Sequence, residues 1–400
     1  MVYADLFNKL QLPVPNRCFE PLFYEALAEF QAQGVFFLDS AYIDRVHSLG
    51  NCLSNCLEAV KQAAAQLRAD PLLSLHALFL YKAMLHRALF KAHLAEFQFP
   101  AGTDAARRFL PFLVLLPTIP QLHDSLKHRK VPEDVIEDTL RQYEDCLFLF
   151  EERFGAPGLH KRYFDHLQLY VDAMILNIGR LRFERIPQLE SSVLILRSTD
   201  GQLAVLFDGA ETNAKGRLHG TPPERENLQC FPRRVVETDT AYIGFPADPN
   251  GNCSSTAETY PKNLWQPIWR KNDAVLGVHI HNKGALTQEA CEQSFRKARQ
   301  ILRDCYPTFT YSVFHCHSWM LDPQLRDHLP ADSRILDFQN RFTLFAGETD
   351  GTDVFNFVFK LKFKEYADMP EDTSLQRSLK QHYLAGKYIY EYEGIIPAEA

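Results

Sequence analysis

From residue 21 to residue 154 the apolar positions recur three and four apart, the spacing of one helix face. Pro21 suits the first turn of a helix that aligns Leu22, Phe23, Ala26, Leu27 and Phe30. Further helices are expected over about 41–66 and 71–97. The second of these carries Leu75, Leu78, Phe79, Met84, Leu85, Ala88 and Leu89 against polar Lys82, Arg87 and Lys91. Pro111, Pro117 and Pro120 interrupt the pattern. It resumes over 132–154, where Glu133 and Asp134 place negative charge at the positive end of the helix dipole. Phe154-Gly155-Ala156-Pro157-Gly158 concentrates Gly and Pro and reads as a linker. A helix over about 159–178, capped by Gly179, follows it.

Beyond Gly179 the period shortens to two. Leu181 and Phe183 alternate with Arg182 and Glu184, and Asp200-Gly201 between two apolar runs signals a hairpin. Residues 209–263 are rich in Gly, Pro, Asn and charge, with a strand expected only at 242–245. So long an irregular stretch reads as disordered or as a functional lid. Val275 to His281 is a strand, and 281–286 is a turn. Thr287 caps a helix to about 304 with Glu289 in its first turn, and 309–316 is a second strand. That order predicts a right-handed parallel crossover. Small Ala290, Ser294 and Ala298 let its helix lie close to the sheet. Phe355, Phe357, Phe359, Leu361 and Phe363 alternate with polar or smaller residues, which predicts a half-buried antiparallel strand paired with 342–346. The fold class is therefore α/β, α+β overall: a helical N-terminal domain over 1–155, then a mixed-sheet domain over 156–400.

The residues with chemistry gather at the ends of the crossover strands. Strand alternation puts His279 and His281 on one face, and His315 and His317 on one face with Cys316 opposite. In open α/β sheets, ligands bind at the C-terminal ends of strands. Lys283 and Gly284 precede a helix N-terminus, where backbone N–H groups can hold a phosphate. In His315-Cys316-His317-Ser318-Trp319 the thiol is a candidate nucleophile, the hydroxyl a proton donor and the indole a wall for an acyl chain. Core packing is the competing reading of Cys316, and the slightly favoured one.

Composition narrows the class. Formal net charge is −7 over 400 residues, which argues against nucleic acid or an anionic membrane as the main partner. Nine cysteines without a paired framework suit reduced thiols and a cytoplasmic location, and Cys52 and Cys56 read as helix core rather than a zinc half-site. The N-terminal residues lack a basic segment followed by an apolar one, so no ordinary signal peptide is expected. The apolar run 109–116 is too short to span a bilayer.

Several segments resemble the bacterial acyltransferase-like proteins that join a helical N-acyltransferase N-terminal domain to a GNAT-like C-terminal domain. They are Gly179-Arg180-Leu181-Arg182-Phe183-Glu184, Val278-His279-Ile280, the helix containing Cys291 and Ser294, Cys316-His317-Ser318-Trp319-Met320-Leu321-Asp322-Pro323 and Ser333-Arg334-Ile335-Leu336. His281 stands where that family has Pro. The GNAT phosphate loop is met only by Gly284, so position implies CoA binding more than motif does. The resemblance implies an acyl-CoA donor whose pantetheine arm lies where two parallel strands splay. It implies His279 or His317 as base for a small amine acceptor, Ser318 as proton donor and Cys316 nearby. Ile280, His281, Lys283, Gly284, Ala285 and Trp319 would then line the cofactor site. A metal-dependent enzyme built on the His residues and Cys316, with no carboxylate motif to accompany them, and a non-catalytic acyl-binding module are the alternatives.

Overall fold

A computed structural model describes residues 1–218, 229–281, 284–361 and 363–399. The chain forms two compact units, Met1–Asn177 and Ile178–Ala400.

The first unit is helical. Asp70 accepts hydrogen bonds from the Leu72 and Leu73 N–H groups and so starts the helix Pro71–Leu85, with Pro71 in its first turn. Asp104 starts Ala105–Leu115 in the same way. Tyr3, Phe7, Phe23 and Phe79 pack edge to face at the centre of this unit. The helix expected over 41–66 is two helices, Ser40–His47 and Leu57–Arg68, because Gly50 and Asn51 between them adopt positive φ. The helix expected over 71–97 breaks at His86, and Arg87–Ala92 is a separate piece. Pro111 lies inside the helix Ala105–Leu115, on a stretch buried all round. The long helix Glu133–Phe154 stops at Gly155, whose φ of 77° no continuing helix adopts. The next helix, Lys161–Val171, belongs to the same unit, packed on Ala105–Leu115 and Thr118–His128. The compact units divide after it, beyond the Gly–Pro cluster.

The strands are β1 (Ile175–Ile178), in which that division falls, β2 (Leu181–Ile186), β3 (Val193–Ser198), β4 (Leu203–Phe207), β5 (Ala210–Thr212), β6 (Phe231–Arg233), β7 (Val236–Glu237), β8 (Ala241–Pro246), β9 (Glu258–Pro261), β10 (Trp265–Trp269), β11 (Val275–Ile280), β12 (Val313–Ser318), β13 (Thr343–Ala346) and β14 (Tyr392–Pro397). The sheet that carries the candidate site runs β2-β11-β12-β14-β13, and a second sheet runs β10-β3-β4-β8-β7 with β9 on β8. The predicted hairpin is β3–β4, with Gly201 at φ 90° in its turn. The described part of 209–263 carries five short strands, β5 to β9, where one was expected; residues 219–228 lie outside the described residues.

β11 pairs antiparallel with β2 along its whole length. Its pairing with β12 is parallel and short, Leu276 with Phe314 and Gly277 with His315, after which the two strands part. The predicted crossover is present, through the helix Gln288–Cys305. Phe295 on that helix meets Phe183 and Phe314 with ring centroids 5.7 and 5.0 Å away. Gly179 and Ser294 make close approach feasible: a Cβ on Gly179 would lie 2.9 Å from the Ser294 hydroxyl, which instead accepts the Arg180 N–H.

The strand expected over 355–363 is absent. Asp353–Phe357 is a short helix, and Lys360 and Leu361 both have positive φ. Phe355, Phe359 and Phe363 are also four residues apart, and it is this spacing that the chain uses to pack them with Tyr366 and Tyr383. Phe357 is left exposed. The partner of β13 is β14. Among the described residues no helix is long and apolar enough to cross a membrane.

Candidate active site

Because side chains alternate along strands, the residues next to Phe183 and Phe314 face away from the helix Gln288–Cys305. Glu184 and Ile186 on β2, Gly277 and His279 on β11, His315 and His317 on β12 and Glu393 on β14 therefore share one face. All of these except Glu184 line a cavity of about 340 Å³ at the point where β11 and β12 part, closed further by Leu189, Glu190, Ser191 and Glu348. Gly277 keeps its floor open, since a Cβ there would lie 2.9 Å from Ile186 Cδ1.

Each imidazole on the cavity is tied to a protein oxygen through Nε2. His279 meets Glu184 Oε2 at 2.8 Å, His315 meets Glu393 Oε2 at 2.8 Å, and His317 meets the Glu348 carbonyl at 2.9 Å. A carbonyl oxygen only accepts, and an ionised carboxylate only accepts, so Nε2 donates in each case; Nδ1 then holds a lone pair when the ring is neutral and a proton when it is charged. The surroundings differ. The His279 side chain is 41% exposed, whereas those of His315 and Glu393 are 7% and 12% exposed. Burial works against the charge of Glu393. The His315 hydrogen bond, the nearby rings of His315 and His317 and a bond from Ser191 outweigh it and hold the carboxyl below the usual carboxylate range.

His279 and His317, predicted from separate strands, thus line one cavity. Other predicted residues are placed elsewhere. Cys316 points to the opposite face, where burial pushes its thiol up to about 12. The Ser318 hydroxyl oxygen accepts the Met320 N–H and caps a turn of 3₁₀ helix. Trp319 packs with Leu325, Leu336, Val354 and Phe359 in a hydrophobic cluster rather than on the cavity. Ile280 alternates away from His279, and His281 meets the Gly179 carbonyl at 3.2 Å, outside the cavity lining. Gly284, at φ 72°, and exposed Ala285 lie before the helix capped by Thr287, whose hydroxyl accepts the Ala290 N–H. Arg180 reaches the same turn by donating to the His281 carbonyl at 2.8 Å. Lys283 lies outside the described residues.

The carboxylates were missed. Glu184 had a signal, as the polar partner in the Leu181–Phe183 alternation. Glu393 had none, because nothing local shows that β14 pairs with β12. Among the described residues no group of three or more His, Cys, Asp or Glu is placed to hold a metal ion.

The whole chain is similar to solved acyltransferase structures. An acyltransferase in complex with decanoyl-CoA superposes with a TM-score of 0.63 at 20% identity, covering 99% of both chains. One in complex with CoA and 10C-teicoplanin gives 0.62 at 18% identity, covering 100% of both. Another, with decanoyl-CoA and teicoplanin, gives 0.61 at 18%. No curated protein sequence matches the chain. Residues 175–396, which include every strand of the sheet around the cavity, match the GNAT-like C-terminal domain family. That match spans more than half of the chain, and the chain belongs to the GNAT-like C-terminal domain family.

Proposed function

We propose that the protein is an N-acyltransferase that moves an acyl group from acyl-CoA to an amine, using the cavity between the parting strands. The observation that carries this is the cavity where β11 and β12 separate, lined by His279, His315 and His317, each tied to a protein oxygen through Nε2. The family match and the acyl-CoA complexes of similar structures support acyl-CoA as donor. The sheet unit is read as the acyltransferase domain and the helical unit as its companion.

In this reading the thioester enters the gap beyond Gly277, where the edge of β11 that faces β12 has lost its ladder partner. Backbone N–H groups on that edge bind the carbonyl oxygen and stabilise the oxyanion that forms on attack. His279 is the base. It is the more exposed of the carboxylate-backed imidazoles, and Glu184 stabilises the imidazolium formed when Nδ1 takes the ammonium proton of the acceptor. His317, backed only by a carbonyl, is the weaker candidate. The acceptor is an amine. Two similar structures hold teicoplanin or 10C-teicoplanin, which favours a glycopeptide amine over the small amine expected from sequence.

The test is thiol release from decanoyl-CoA with a panel of small amines, amino sugars and glycopeptides, with mass spectrometry of the product. Amine-dependent release with an acylated amine is expected. Binding of decanoyl-CoA without release under any amine would instead support the non-catalytic module.

A further inference from the structure

We propose that His315, positioned by Glu393, delivers the proton taken up by the departing thiolate of CoA. This rests on acyl-CoA being the donor. The transfer requires such a proton: as the amine nitrogen bonds to the thioester carbon and the C–S bond breaks, the electron pair leaves on sulfur. An imidazolium placed beside the sulfur can supply that proton as a general acid as the C–S bond breaks.

His315 is placed for this step. It is the residue paired with Gly277, the last rung before the strands part, so no side chain on β11 stands between it and the gap. It lines the cavity at its buried floor, while His279 lies further along β11 and more exposed. The two carboxylate-backed imidazoles therefore differ in depth, and depth separates an acceptor amine arriving from solvent from a sulfur inserted between the strands. Glu393 fixes the His315 tautomer by accepting from Nε2, which leaves Nδ1 as the atom that exchanges a proton with the cavity. A buried carboxylate also makes an imidazolium at this depth sustainable, since the pair is neutral overall. The hydroxyl and thiol on the same strand are excluded by geometry. Ser318 and Cys316 alternate to the opposite face, and the Ser318 oxygen is committed to the Met320 N–H.

The protons balance. An ammonium acceptor loses one proton to His279 before attack. Once the N–C bond has formed, His279, having released that proton to solvent, accepts the second. His315 gives its proton to sulfur and is recharged from solvent, so each turnover yields amide, CoA thiol and one proton. Glu393 stays ionised throughout and is a positioning residue.

The experiment compares two donors: decanoyl-CoA, whose thiol is weakly acidic, and the decanoyl ester of an acidic aryl thiol, whose thiolate leaves without a proton. His315→Gln is expected to lower kcat at least about tenfold on decanoyl-CoA and less than about threefold on the aryl thioester, the signature of a lost general acid. Isosteric Glu393→Gln should show the same donor selectivity, more weakly, and carries the test should His315→Gln not fold. His279→Ala should lose the same factor on both donors. Equal losses on both donors for both the His315 and Glu393 variants, or no loss on either, would overturn the assignment and leave the acyl-transfer reading standing. Wild-type protein that transfers from neither donor would overturn both.

Discussion

His76 in the helical unit and His315 in the sheet unit are both buried, and they have opposite consequences. His76 sits against Phe7 with ring centroids 5.8 Å apart and has no carboxylate beside it. Burial pulls its pKa down to about 4. His315 has Glu393 at 2.8 Å and opens onto a cavity. Burial alone makes a histidine an uncharged piece of aromatic core. Burial beside a carboxylate makes one whose ring is held in a fixed orientation where a substrate fits. A histidine is informative about function through its partner, and the partner here comes from a strand distant in sequence.

The sharpest way to break this contrast is at the active imidazole. His279→Ala should lower the rate of amine-dependent thiol release by about 10²- to 10⁴-fold, the usual range for a lost general base. Its KM for decanoyl-CoA should stay within a few-fold, and His76→Leu should leave both parameters near wild type. Next in size is stability against pH. Because folding depresses the His76 pKa, the unfolded chain binds the extra proton first, so stability is full above about 6.5 and falls as pH drops towards 4, by about 3 kcal/mol in all. Glu393 works in a lower window. Its carboxyl is depressed, so its contribution is present above the ordinary carboxylate pKa and lost only as pH falls through the lower folded value. Urea unfolding at pH 7 and pH 5 should show a loss in the wild type that His76→Leu largely removes. An unchanged slope in that variant would mean another group titrates.

Filling the cavity is a smaller perturbation. Gly277→Val places atoms where Ile186 already stands. It should cost about 1–3 kcal/mol of stability and block the donor, read as a raised KM for decanoyl-CoA. Unchanged kinetics would place the donor elsewhere. The smallest effect belongs to Cys316→Ala. A buried thiol with its pKa near 12 is packing, so the rate should stay within about twofold; a large loss would restore Cys316 as nucleophile.

Periodicity made much of this arrangement legible. The β11–helix–β12 crossover, the β3–β4 hairpin and the helical first unit follow from local spacing and turn residues, and the crossover alone brought His279 and His317 to neighbouring strand ends. What it concealed has physical causes. Phe355, Phe359 and Phe363 satisfy two periods at once, and tertiary packing chose the second. His315, Cys316, His317, Ser318 and Trp319 are adjacent in sequence, but alternation sends Cys316 and Ser318 to one face and the histidines to the other, while the chain turns at Trp319 into the core. The carboxylates that fix the imidazole tautomers arrive by long-range strand pairing, which no local pattern records.

The central claim is that this cavity transfers an acyl group with His279 as its base. The most direct test is the initial rate of thiol release from decanoyl-CoA at saturating amine, measured side by side for wild type, His279→Ala and Cys316→Ala at neutral pH. The account predicts release for wild type and Cys316→Ala at rates within about twofold and a loss of at least about a hundredfold for His279→Ala. Equal rates for wild type and His279→Ala, with loss confined to Cys316→Ala, would contradict it.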